Sequence, residues 1–312
     1  MPHDGRPRVS KIKPGSFAAV IRAYLASPKF AGLAHSTRTN YRYLLQIAER
    51  PDTLGSLSTD EIRPALVQAF LDGLADRPAQ QKAAQSVLKS VERFALVRDL
   101  LPRPITTGTE APGGDGGHVP WTDEQVALAE QCTRPHISRV ITLAANLGQR
   151  GSDIVRMRWS DLEEFDGRVG INVVQQKTGL KLWIPLPQPL LRAMSAWERR
   201  PTFIALKEDG HPWTREQLSN QWLRERDTKP ALAPLKAAGL VLHGLRGTAV
   251  VRLRRAGATV PQICDMVGMS PQMVARYCRL SVQRENALAA VHYLDGRTTR
   301  EQLPPATAKK TP

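Results

Sequence analysis

The sequence predicts a mainly α protein with a small β-sheet (α+β), in which an N-terminal helical bundle precedes a larger second domain. Three observations carry this expectation. Apolar residues recur at helical spacing through most of the 312-residue chain. The period changes to alternation over residues 168–186, RVGINVVQQKTGLKLWIPL. A stretch rich in Pro, Gly and Thr, residues 102–120, separates two segments that are each long enough to bury a core.

Four helices are expected before that stretch. The first covers about 16–26 (FAAVIRAYLAS from 17), and the second starts after Ser36 and runs through TRTNYRYLLQIAER. The third is expected to begin at the capping box Ser58-Thr59-Asp60-Glu61 and to bury Ile62, Leu66, Phe70 and Leu71. The fourth, about 79–99, places Ala84, Val87, Val91 and Ala95 at helical spacing. After the linker, Thr122-Asp123-Glu124-Gln125 caps a helix, a second follows over 136–147, and Gly148 turns the chain into a short helix from Ser152. Val169, Ile171 and Val173, then Leu180, Leu182 and Ile184, alternate around Lys177-Thr178-Gly179 as a hairpin. Helices return at 188–199, 214–226, 243–256, 260–267, 271–279 and 282–294. The expected organisation is a basic tail (1–15), a helical bundle (16–101), a linker (102–120), a second domain (121–296) and a C-terminal tail (297–312). All six tryptophans lie after the linker.

Charge narrows the partners. The chain carries a net +15 with a pI near 10.2, which points to a polyanion, most commonly nucleic acid. Residues 240–284 hold Arg246, Arg252, Arg254, Arg255, Arg276, Arg279 and Arg284 against the single acid Asp265. Arg252, Arg254, Arg255, Arg276 and Arg279 are therefore candidate DNA-binding residues. Residues 1–110 hold 16 Lys and Arg against 10 Asp and Glu, so the bundle can also contact DNA. No apolar run approaches the ~20 residues of a membrane span, and no secretory leader is recognisable, so a cytoplasmic protein is expected. Cys132, Cys264 and Cys278 are far apart and odd in number, which fits reduced thiols. The histidines show no metal-ligand spacing, so neither a metal nor a cofactor is expected.

Four segments hold residues suited to phosphoryl transfer. Arg150 lies in NLGQRGSD, Lys177 at the hairpin tip, His243 and Arg246 in HGLR opening a helix, and Tyr277 in GMSPQMVARYCRL. Singly, each has an ordinary structural explanation: a salt bridge, an edge-protecting lysine, a cap, a packed tyrosine. Together they supply what the chemistry needs. Arginine forks neutralise non-bridging oxygens, lysine can protonate a leaving alkoxide, and tyrosine can attack. A phenol with pKa about 10 is ionised to about one part in a thousand at pH 7, and neighbouring cations raise that fraction.

The order and spacing closely resemble the tyrosine recombinases, also called the phage integrase family. Gly148-Gln149-Arg150-Gly151-Ser152-Asp153 matches the family's G-x-R-x-x-[ED] turn, and Met157-Arg158-Trp159-Ser160-Asp161-Leu162 resembles its L-x-W-x-D-[IL]. Lys177 matches the hairpin lysine, and His243 with Arg246 matches H-x-x-R, with Ala256-Gly257 closing the helix. Val267-Gly268-Met269 followed by Tyr277 matches L-G-H and the distal tyrosine, except that Met269 stands where the family has histidine, sometimes tryptophan. The resemblance implies a core-binding, SAM-like helical bundle and a DNA breaking-rejoining catalytic domain that together clamp duplex DNA. It implies a site-specific recombinase, or integrase. Tyr277 would form a 3′-phosphotyrosyl link, Arg150 and Arg246 would stabilise the transition state, and Lys177 would act as general acid. His243 would bind phosphate or act as general base, and Asp153 would orient a basic group or serve as a plain helix-start acid.

It further implies double-stranded DNA with a specific core site, a tetramer on two duplexes passing through a Holliday junction, and action at the nucleoid of a bacterium, whether bacterial or phage-encoded. The helix over 282–294, with Leu288, Val291 and Leu294, would dock on a neighbouring protomer or on its own domain. About 15 residues before the first helix are too few for a folded arm-binding domain, which favours recognition of core sites alone. A type IB topoisomerase-like nicking-closing enzyme, a non-catalytic DNA-binding relative and a helical scaffold without DNA remain the alternatives.

Overall fold

A computed structural model describes residues 12–112, 117–200 and 202–281, together with Ala287 and Val291. The chain divides into two compact units, Met1–Gly116 and Gly117–Pro312. The expected helix over 282–294 lies outside the described residues apart from those two positions.

The first unit is helical: α1 (Phe17–Leu25), α2 (Pro28–Ala31), α3 (His35–Ala48), α4 (Pro64–Asp72) and α5 (Pro78–Leu96). Ser16 and Ser27 cap α1 and α2 by accepting from the amides of Ala19 and Phe30. The long α5 turns a buried stripe of Ala84, Val87, Leu88, Val91, Phe94 and Ala95 toward α1, α3 and α4. Tyr24 sits edge-on between Phe30 and Phe94, with ring centroids 5.6 and 5.4 Å away. Each such fully buried side chain contributes about 1.5–3 kcal/mol by leaving water. Ile105, in the stretch expected to link the two units, is fully buried in this core. The Glu92 carboxylate accepts from the amides of Ile105 and Thr106.

The third expected helix starts later than its capping signal. Ser58 and Glu61 do exchange reciprocal bonds: the Glu61 amide donates to Ser58 Oγ at 3.3 Å, and the Ser58 amide to Glu61 Oε2 at 3.0 Å. They close only an isolated turn. Arg63 precedes Pro64, whose ring bars the helical region, and Arg63 is extended at φ −134°, ψ 161°. The helix therefore begins at Pro64, where a missing N–H costs nothing. Its buried pair becomes Val67 and Leu71, and Leu66 is turned to solvent.

The second unit opens with α6 (Asp123–Cys132), α7 (Pro135–Leu147) and α8 (Gly151–Ile154). A three-stranded antiparallel sheet follows, β1 (Leu162–Phe165), β2 (Arg168–Val174) and β3 (Lys181–Pro185), in that spatial order. Then come α9 (Gln188–Ser195), α10 (Arg215–Thr228), α11 (Ala233–Ala237), α12 (Gly244–Arg255), α13 (Val260–Val267) and α14 (Pro271–Ser281). The hairpin expected from the alternation is β2–β3, with Ile171 opposite Ile184 and Val173 opposite Leu182. Strand β1 is an addition. Its LEEF is mostly exposed and shows no alternation, but Asp166 and Gly167 behind it both take positive φ (50° and 70°), the geometry of a two-residue hairpin turn.

The first two thirds of α12, from Gly244 to Val251, are buried on every side, so this helix runs through the unit. One core joins α7, the sheet and α10; another joins Val250 and Val251 of α12 to Ile263 and Val267 of α13 and to Val274, Tyr277 and Cys278 of α14. Among the described residues, no helix is long and apolar enough to cross a membrane.

Because every tryptophan belongs to the second unit, the two cores can be read separately. Ile141→Ala is expected to lower the stability seen by tryptophan fluorescence in urea by about 2–5 kcal/mol. Leu45→Ala is expected to shift the helical circular-dichroism transition while leaving the tryptophan transition in place. An equal shift of both by Leu45→Ala would show that the two cores melt as one.

Candidate active site

Two helices of the second unit end on left-handed glycines, Gly148 after α7 (φ 62°) and Gly268 after α13 (φ 64°). Neither tolerates a side chain. A Cβ at Gly148 would stand 2.8 Å from Val267 Cγ1, and one at Gly268 would overlap the Gln175 amide. The carbonyls of both glycines accept from one guanidinium: Arg246, in the first turn of α12, donates through Nη1 to Gly148 O and through Nη2 to Gly268 O at 3.1 Å. Arg246 is 3% exposed. Burial pushes its pKa down to about 10; the charge of Arg150 adds to this, and Asp153 and Tyr277 oppose it. Arg246 is thus still charged at pH 7, and Arg150, Asp153 and Tyr277 surround it.

Arg150 caps the start of α8. Its Nη1 donates to Gln175 Oε1 at 2.8 Å and stands 4.0 Å from Asp153 Oδ2. Asp153 is buried. Its Oδ1 accepts from the Gln176 amide at 2.9 Å, while its Oδ2 has no hydrogen-bond partner among the described residues. The Asp153 contacts join the α8 turn to the hairpin loop.

Gln149 and Gln175 complete this arrangement, and sequence reasoning missed both. Gln175 Nε2 donates to Gln149 Oε1 at 2.8 Å and to Val267 O at 3.0 Å. Gln149 Nε2 reaches Leu147 O and Val267 O. A signal was present: Gln175, one residue beyond β2, continues the inward phase of Ile171 and Val173, and a glutamine on that phase must find buried partners. Lys177 lies two residues further on, exposed, between β2 and β3. Thr178 Oγ1 donates to Gln175 Oε1, and Gly179, at φ 70°, donates its amide to Gln175 O.

His243 precedes α12. Its pKa falls to about 4, first through burial and then through the charges of His118, Arg246, Arg215 and Arg150. Arg215, the first residue of α10, is a further cation that sequence reasoning did not single out. The His118 ring meets His243 edge-on, with centroids 4.9 Å apart. Residues 117–121 are laid along the start of α12. The Trp121 amide donates to Thr248 Oγ1 at 2.7 Å, Thr248 returns a bond to Trp121 O, and Trp121 Nε1 donates to Val241 O. Gly244 and Gly247 make this possible: a Cβ at Gly244 would overlap Val119 O. At Gly247 it would be 2.7 Å from the Tyr277 ring and 3.0 Å from Pro120. Tyr277 is 7% exposed and packs on α12.

Met269 is half-buried against the Val250–Val267–Tyr277 cluster and lines an open cleft of about 630 Å³ with Thr178, Leu180 and Cys264. Its thioether donates no hydrogen bond. The other candidate arginines are unequal. Arg252 is held by Asp123 at 2.6 Å and by Ala145 O, and Arg254 donates to Ala258 O at the end of α12. Arg255 and Arg276 are exposed. The side chain of Arg279 lies outside the described residues.

Two arginines, a histidine and a tyrosine are thus gathered around the first turn of α12, in a fold that known proteins share. Residues 123–284 match the phage integrase family, and the chain belongs to that family. The integrase of Escherichia phage HK022 is 27% identical over 161 residues, which are 50% of this chain and 43% of that protein; the match spans less than half of that relative's length. A lambda integrase fragment bound to DNA superposes with a TM-score of 0.68 at 21% identity, covering 86% of this chain and 97% of that one. A Tn1549 transposon integrase in complex with transposon right end DNA gives 0.69 at 15% identity, covering 90% and 99%. At these identities the structural likeness establishes the fold.

Histidine NMR tests the packed geometry. His243 is expected to stay neutral through pH 6 and to titrate near 4, and His118→Ala is expected to raise that midpoint by removing both cover and a cation. A midpoint near the ordinary 6.5 in the intact protein would contradict the burial.

Proposed function

We propose that the protein is a site-specific DNA recombinase, an integrase that cuts and rejoins double-stranded DNA at a core site through a 3′-phosphotyrosyl intermediate. The observation that carries this is the Arg150–Arg246 pair, with His243 and Tyr277 around it and Lys177 on the loop that the pair's own network holds. Tyr277 Oη attacks the scissile phosphorus, the P–O5′ bond breaks, and Lys177 gives its proton to the leaving O5′. The phenolic proton passes to His243, which is neutral before DNA binds and gains basicity from the anionic phosphate. Arg150 and Arg246 neutralise the non-bridging oxygens. Asp153 keeps the Arg150 turn and the loop together.

The phosphotyrosyl link retains the energy of the phosphodiester, so a partner strand's 5′-hydroxyl can reverse the step without ATP. Exchange between two duplexes needs four such sites, and a lambda integrase tetramer bound to a Holliday junction, at TM-score 0.67 and 21% identity, supports that arrangement. We extend the DNA contact to Arg255 and Arg276, which are exposed, and to Arg279. Arg252 and Arg254 serve the fold as well as the charge. The reaction belongs at the bacterial nucleoid, where the substrate lies.

A nicked suicide duplex carrying the target site is expected to trap a covalent adduct with the wild-type protein and with Tyr293→Phe, and none with Tyr277→Phe. An adduct from Tyr277→Phe would remove the nucleophile from this scheme, and binding without any adduct from the wild type would leave a DNA-binding relative. Relaxation of supercoils without strand exchange would favour a nicking-closing enzyme. Met269→His is expected to leave single-turnover cleavage unchanged or faster, because it adds a phosphate donor. A loss of tenfold or more would mean that thioether packing beside Tyr277 is itself required.

A further inference from the structure

We propose that Gln175 is a positioning residue for this reaction, one that fixes the Lys177 loop against Arg150 so that acid and charge clamp meet the same phosphate. The proposal rests on the recombinase reading above.

Gln175 is fully buried, and its amide uses its whole bonding capacity. The oxygen accepts from Arg150 Nη1 at 2.8 Å and from Thr178 Oγ1 at 3.0 Å. The nitrogen donates to Gln149 Oε1 at 2.8 Å and to Val267 O at 3.0 Å. The orientation is determined, because Val267 O can only accept and a guanidinium can only donate. Its backbone also closes the loop, donating to Leu180 O and accepting from the Gly179 amide.

One side chain thus joins three segments that meet nowhere else in sequence. They are the α7–α8 turn with Arg150, the loop that brackets Lys177 between residues 175 and 178, and the end of α13. Val267 there precedes Gly268, whose carbonyl holds Arg246. Lys177 itself is exposed, so its own side chain does not set its place. Its position follows from the residues on either side of it. A general acid displaced by about 1 Å loses on the order of a hundredfold in rate. No other residue type repeats these bonds. Glutamate lacks both donors and would set an anion on Arg150, and methionine keeps the length and loses all four contacts.

The test uses the full chain and a suicide duplex in two forms, one with the ordinary O5′ at the scissile phosphate and one with a bridging 5′ sulfur. A thiolate leaves without a proton, so the sulfur duplex bypasses the general acid. Gln175→Met is compared with Thr178→Val, which deletes only the loop-side bond at an exposed position and keeps the test informative if Gln175→Met folds poorly. Lys177→Ala is the reference. We expect both variants to cleave the oxygen duplex roughly tenfold or more slowly than wild type, with DNA affinity within about threefold. On the sulfur duplex they return to within about threefold of wild type, as Lys177→Ala does. If Lys177→Ala is rescued while Gln175→Met and Thr178→Val remain slow on both duplexes, Gln175 acts through Arg150 or the fold and the proposal is overturned. If Lys177→Ala is not rescued, the general-acid assignment fails, and this proposal fails with it. A wild type that forms no adduct on either duplex sinks the recombinase reading itself.

Discussion

The buried guanidinium of Arg246, held between the carbonyls of two left-handed glycines, is the contact on which the rest of the second unit's arrangement depends. Taking a charge out of water costs several kcal/mol, about that much per ion even after relaxation. Here the offset comes from carbonyl oxygens at the ends of α7 and α13, where unpaired acceptors and the negative ends of helix dipoles coincide. Those oxygens carry only partial charges, and the single carboxylate of Asp153 stands against the two guanidinium charges of Arg150 and Arg246. The centre therefore keeps a positive potential in a place with little water. Because both glycines belong to turns that lead straight into functional segments, a single side chain fixes the approach of Arg150 on one side and of Met269 on the other.

The surrounding ionisable groups follow from that potential. His243 is buried, and His118, Arg246, Arg215 and Arg150 add their charges to that effect, so its imidazole remains neutral where an exposed one would be half-protonated near pH 6.5. A neutral imidazole among fixed cations is the state suited to receiving a proton once an anion arrives. Tyr277 is held differently, by shape. Its ring lies where a side chain on residue 247 would be, so the glycine in HGLRG is a receptor for the tyrosine as much as a helix residue.

Much of this was legible in the sequence, and what was not has definite causes. The helices with regular apolar stripes, α5 and α7 above all, lie where their spacing placed them, and the β2–β3 hairpin follows its alternation. The start of α4 was misread because a genuine capping pair at Ser58 and Glu61 was weighed above the steric veto of Pro64 on Arg63. Strand β1 escaped because an edge strand faces water and loses its apolar alternation, although Asp166-Gly167 marked the turn. Arg150, His243, Arg246 and Tyr277, singled out by residue type and spacing, lie together around the first turn of α12. Gln149, Gln175 and Arg215 were not, because their importance lies in contacts between segments 25 to 118 positions apart. The arginines of the basic segment 240–284 were alike in the sequence, while in the structure Arg252 also pairs with Asp123 and Arg254 donates to Ala258 O beyond the end of α12.

The way residues 117–121 are tied to α12 has a consequence for modular engineering of this scaffold. Trp121 and Thr248 exchange two hydrogen bonds, and His118 covers His243, so this segment is part of the second unit's chemistry although it reads as spacer. A chimaera that replaces the first unit with a foreign domain should keep Gly117 onward intact and place its junction in the Gly-Gly-Asp-Gly run at 113–116. A junction cut at the start of α6, where the helix makes the boundary look natural, would discard the lid over the imidazole along with the spacer.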